Sequence, residues 1–160
     1  MSRAYELPNI RHLRAFTLVA RHNSVKKAAT AIYLSQPAVT QAVSKLEELF
    51  GCPFFVRQRS GMYCTPHGEL VRARVERALE EISSVLGLPS GQGRQSGASG
   101  DPIRMLSTAH LRAIIAVADH GSFTVAARSL GIMQPSLHRT ARTLEQIVGL
   151  KLFVRTSQGM

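Results

Sequence analysis

Ser35-Gln36-Pro37-Ala38-Val39-Thr40-Gln41-Ala42-Val43-Ser44-Lys45-Leu46-Glu47 is the stretch on which the fold turns. Ser35 is a good N-cap, and a proline two places later suits a first helical turn, where its missing N–H had no partner. The spacing predicts a helix to about Leu49 with Val39, Ala42, Val43, Leu46 and Phe50 on one face. Thr40, Gln41, Ser44, Lys45 and Glu48 occupy the opposite, polar face. Upstream, Tyr33-Leu34 forms a short turn, preceded by a helix capped by Ser24 that buries Val25, Ala28, Ala29 and Ile32. The paired alanines let a neighbouring helix approach closely. Before them, Ile10, Leu13, Phe16, Thr17 and Ala20 predict a first helix over roughly 10–21.

A short helix, a tight turn and a capped helix with a polar outer face make a helix-turn-helix pattern. A generic bundle with a merely solvated polar face would look the same in one copy. This chain has two. His12-Leu13-Arg14-Ala15 returns as His110-Leu111-Arg112-Ala113, an offset of 98 residues (13 to 111). Without a gap, the offset also matches Ala28-Ala29 with Ala126-Ala127, Gln36-Pro37 with Gln134-Pro135, and Phe55-Val56-Arg57 with Phe153-Val154-Arg155. Roughly 20 of about 50 aligned positions are identical, far above the ~5–7% of unrelated stretches. Between the copies, Pro89-Ser-Gly-Gln-Gly-Arg-Gln-Ser-Gly-Ala-Ser-Gly-Asp-Pro102 reads as a flexible tether with a random-coil span of roughly 20 Å.

Downstream of the decisive helix, aromatic and β-branched residues flank Ser60-Gly61, which predicts a β-hairpin turning there. A hairpin beside a recognition helix is a wing, and Arg57 and Arg59 would face backbone phosphates or the minor groove, or else lie on a solvated edge. Thr65 then caps a helix over 66–87 with Pro66 in its first turn. Its stripe of Val71, Val75, Ala78, Leu79, Ile82 and Val85-Leu86, with nearly balanced charge, predicts pairing with a second copy of the chain. The organisation expected is a helix-turn-helix with wing over 1–65, a dimerisation helix over 66–87, a tether over 88–102 and a second unit over 103–160.

Bulk properties agree with a polyanionic partner. Among 160 residues there are 20 Lys+Arg and 10 Asp+Glu, a net charge of +10, and 44% are hydrophobic. Cys52 and Cys64 lack metal-ligand spacing and read as free thiols. No apolar run approaches membrane-spanning length, so a cytoplasmic protein with no membrane partner is expected. No acid/base dyad, nucleophile elbow or phosphate loop occurs, and the paired histidines His12/His110 and His22/His120 follow from duplication. Neither an enzyme nor a cofactor is expected.

In this order, Leu13-Arg14-Ala15-Phe16, Ser24 with Ala28-Ala29, Leu34-Ser35-Gln36-Pro37-Ala38-Val39-Thr40, Lys45-Leu46-Glu47, Gly51, Phe55-Val56-Arg57 and Thr65 with Gly68 resemble the N-terminal DNA-binding module of LysR-type transcriptional regulators. The resemblance implies a mainly α, winged helix-turn-helix fold for each of the two copies, whose tandem arrangement is unusual for the family, and a homodimer on double-stranded DNA. It also implies contacts from Ser35, Gln36, Ala38, Thr40 and Gln41 and from the wing at Arg57. Ser44 and Lys45 on the same helix face and Arg59 on the hairpin are further candidates, although the family's second wing arginine falls three residues after the first, where Ser60 and Gln158 stand here. The matching positions of the second copy are Gln134, Ser136, His138, Arg139, Arg142 and Arg155. The chain departs from the family where Met133 stands in place of the serine cap, where Gly131 is expected to loosen or re-aim the preceding turn, and where no effector-binding domain follows. It stops one strand into a second wing, which suggests a fragment or an engineered boundary. The alternative is a second unit that serves protein association, with the first alone reading DNA.

Overall fold

Short polar side chains start the helices. In the computed structural model, which describes residues 7–85 and 105–154, Asn9 Oδ1 accepts from Arg11 N (2.9 Å) and opens α1, Ile10–His22. Ser24 Oγ accepts from Lys27 N at 3.3 Å and opens α2, Val25–Ile32. Ser35 Oγ accepts from Ala38 N at 3.3 Å and opens α3, Gln36–Phe50. A two-stranded antiparallel hairpin follows, β1 (Phe55–Gln58) and β2 (Gly61–Cys64), with Phe55 opposite Cys64. Thr65 Oγ1 accepts from Gly68 N (3.0 Å) and donates to Pro53 O (2.8 Å), tying the start of α4, Pro66–Val85, to the hairpin base.

The chain divides into two compact units, the first holding α1–α4 and the hairpin, the second α5 (Thr108–His120), α6 (Phe123–Ser129) and α7 (Gln134–Val148). It is mainly helical. In the first unit Ala15, Phe16, Val19, Ala28, Ala29, Val39, Ala42, Val43 and Leu46 form the core with Phe54 and Phe55. Phe16 is the aromatic centre, its ring 5.0 Å from that of Phe54 and 5.4 Å from that of Phe55. In the second unit Ala113, Ala116, Val117, Phe123, Ala126, Ala127, Leu137 and Ala141 do the same work.

Backbone conformation repeats at the offset of 98. Asn23 (φ 50) matches Gly121 (φ 60), Tyr33 (φ 57) matches Gly131 (φ 66), and Gly51 (φ 68) matches Gly149 (φ 70). All six end a helix in the left-handed region or lie just past its end. Gly131 therefore does not re-aim its turn. It holds the same conformation as Tyr33 and removes the side-chain clash, about 1 kcal/mol, that a non-glycine residue meets there.

Several expectations change. Phe50, expected on the buried face of α3, is 46% exposed at the end of the helix, its ring 5.4 Å from that of Phe54. The hairpin turns on Arg59-Ser60 rather than Ser60-Gly61; Gly61 opens β2. Its φ is +148, and a Cβ there would stand 2.5 Å from Asn23 O, so the wing approaches the α1–α2 corner closely. Met62 N donates to Asn23 O at 3.0 Å and fixes that approach. On α4, Val71, Val75, Leu79 and Ile82 are half-buried within the chain and Ala78 and Val85 are exposed. Residues 150–154 form no strand; the rest of the expected second wing (155–160, with Arg155), the tether over 88–102 and Leu86 lie outside the described residues.

Candidate nucleic-acid interface

Three elements enclose one open depression in the first unit: the start of α2, the outer face of α3 and the hairpin. Ser24 and Ser35 set the first turns of the two helices, and Asn23 holds the wing against them. Of the residues expected to contact DNA in this unit, Ser35, Gln36, Ala38, Thr40, Gln41, Ser44, Arg57 and Arg59 line the depression together. All but the half-buried Ala38 are exposed. Lys45 does not line it. It lies on α3 toward α1, near His12, whose pKa is lowered by burial first and by the Lys45 charge second.

The depression holds about 1880 Å³, beyond the ~300–1,000 Å³ of small-molecule clefts. Four basic side chains line it, Lys26, Lys27, Arg57 and Arg59, against one carboxylate, Glu47. That carboxylate is already engaged. Glu47 Oε1 accepts from Phe54 N at 2.7 Å and Phe55 N at 3.3 Å, so it clamps the base of the wing to the end of α3. What faces the depression is therefore cation at the rim and neutral amide and hydroxyl along α3. Amides and hydroxyls hydrogen-bond base edges, whereas Lys and Arg neutralise phosphates.

Lys26 and Lys27 were not singled out in the sequence. The signal was a basic pair in the first turn after a serine cap, where the helix dipole already favours an anion. Glu47 was recognised only as part of a motif, and its clamp depends on a seven-residue reach that spacing does not show.

In the second unit Gln134, Ser136, His138, Arg139 and Arg142 are all exposed on α7. No side chain caps this helix at Met133. Instead the His138 ring stacks on Phe123 of α6, centroids 4.1 Å apart and planes 10° from parallel, and lies 3.4 Å from the Gln134 amide (Nε2 to Nε2). Glu145 Oε1 accepts from Leu152 N (2.9 Å) and Phe153 N (3.2 Å), the same clamp that Glu47 makes 98 residues earlier. Among the described residues no group of His, Cys, Asp and Glu could hold a metal ion, and no helix is long and apolar enough to cross a membrane.

Known proteins share these elements. The HTH-type transcriptional regulator GalR of Pseudomonas putida is 35% identical over 155 residues, covering 97% of this chain and 38% of GalR. The HTH-type transcriptional regulator TdcA of Escherichia coli is 33% identical over 90 residues, 56% of this chain and 29% of TdcA. The chain thus spans well under half the length of these relatives. A crystal structure of BenM_DBD with catB site 1 DNA superposes at a TM-score of 0.47 and 27% identity, over 49% of this chain and 87% of that one. The model of the bacterial regulatory helix-turn-helix protein, lysR family, matches residues 10–69 and again 108–160. Those two stretches hold α1 to the start of α4 and α5 to α7, more than half the chain, and it belongs to the lysR family of bacterial regulatory helix-turn-helix proteins.

Proposed function

We propose that this chain regulates transcription in the bacterial cytoplasm by sequence-specific binding to double-stranded DNA. In this reading α3 lies in the major groove and the hairpin lies on the backbone or in the minor groove. The observation that carries it is the depression of the first unit, where an uncharged hydrogen-bonding helix face is framed by Lys26, Lys27, Arg57 and Arg59. Gln36 and Gln41 pair with adenine edges, and Ala38 and the Thr40 methyl touch thymine methyls. Lys45, outside the depression, serves at most a flanking phosphate.

The second unit is a tandem copy of the first that also contacts DNA. Its exposed Arg139 and Arg142 support this, with its matching left-handed helix ends and its repeated carboxylate clamp. With a tether spanning roughly 20 Å between docked units, it can reach a half-site about 34 Å along the duplex. Two chains pair through the exposed part of the α4 stripe, giving a homodimer on a roughly palindromic site. The uncapped start of α7 favours the other reading, in which this unit serves protein association.

Binding to duplexes selected by the wild-type chain tests the assignment. Gln41→Ala is expected to relax preference at one base pair by ~1–3 kcal/mol while leaving the others intact. An unchanged preference would remove α3 as the reader.

A further inference from the structure

The two units carry their positive charge in different places. In the first, Lys26 and Lys27 sit at the start of α2 and the reading face of α3 is neutral, with Thr40, Gln41 and Ser44. In the second, the offset of 98 puts Thr124 and Val125 where the lysines were, and His138, Arg139 and Arg142 where Thr40, Gln41 and Ser44 were. Charge has moved from the rim onto the reading face. Arg139 and Arg142, three residues apart, share one exposed side of α7, and among the described residues neither side chain has an ion pair. Such a face is rich in donors. Guanine offers two acceptors in the major groove, O6 and N7, that an arginine fork meets together, whereas adenine offers one acceptor and one donor.

The start of α7 is organised by a device the first unit lacks. The His138 ring lies flat on buried Phe123, whose ring in turn meets Phe153 edge-on at 5.3 Å. With the Gln134 amide nitrogen donating, His138 Nε2 accepts and the ring proton sits on Nδ1. The stack holds Gln134 in place across the turn that has no serine cap.

We propose that the two units read different base sequences: α7 selects guanine through Arg139 and Arg142, with His138 positioning Gln134, while α3 selects adenine and thymine. The site for one chain is then two unlike half-sites rather than a direct repeat. This rests on the reading that the second unit contacts DNA.

Selection of randomised duplexes by the full chain, followed by titration across a salt series, tests it with Arg139→Gln, which installs the residue of the first unit. Guanine preference at one position of one half-site is expected to fall about five- to a hundredfold and turn toward adenine. If affinity instead drops alike on every duplex and the salt slope falls by about one, Arg139 holds a phosphate. The inference then fails while the second unit stays on DNA. If affinity, preference and slope all remain unchanged, both the inference and the DNA-contacting reading of that unit fail. His138→Phe keeps a flat ring on Phe123 but cannot accept from Gln134. It is expected to relax preference at the base beside Gln134 with thermal stability unchanged; lower stability with unchanged preference would reduce the stack to a structural role.

Discussion

His12 lies on α1 with part of its ring buried and Lys45 of α3 nearby, and both burial and, secondarily, that charge push its pKa below 6.5. The unfolded chain therefore takes up this proton before the folded chain does. Stability from this residue is fully present above pH 6.5, is lost as pH falls from there toward the folded pKa, and changes no further below it. The thermal midpoint between pH 7.5 and pH 5.5 is expected to fall less for His12→Gln than for the parent chain; equal falls would contradict this. Cys64 is simpler. Burial, helped by the Glu69 carboxylate, pushes its thiol up to about 11, so at neutral pH it stays protonated and is a poor nucleophile. That counts against a redox task for this cysteine.

At the scale of elements, α7 starts without the side-chain cap that α3 has. Met133 is 73% exposed, and replacing it removes no core packing. Met133→Ser is expected to stabilise the second unit by about 1 kcal/mol through a side-chain acceptor for Ser136 N, the bond that Ser35 makes to Ala38 N. Chemical denaturation followed by helical circular dichroism measures it, and an unchanged midpoint would mean that the His138 stack already supplies that order. The helices themselves were legible because caps and apolar spacing are local: Ser24, Ser35 and the Val39-to-Leu46 stripe each act within a few residues. The outer face of α3 was legible for the same reason. Features made by two elements meeting were not. The hairpin turns one residue earlier than its Ser-Gly pair suggests because Gly61 is needed beneath Asn23 O. Lys45 shares a helix with Gln41 but faces α1 rather than the depression, a difference set by helix packing. The stack of His138 on Phe123 joins residues of two helices that no spacing rule connects.

For the whole molecule, the +10 net charge matters through its distribution. On α4 Arg72 and Arg77 pair with Glu69 and Glu81, and Arg21 of α1 reaches Glu76, which leaves Arg74 as that helix's one arginine without an ion pair among the described residues. These exposed pairs add little stability; their consequence is that α4 offers a polyanion less than the four cations around the depression do. A depression that grips duplex DNA through its rim cations carries a particular salt dependence. The slope of log Kobs against log salt for the full chain on its selected duplex should fall in magnitude by about two in the double variant Lys27→Gln, Arg57→Gln, with base preference retained. An unchanged slope would take DNA out of the depression, because removing a cation that never touches phosphate changes no counterion release.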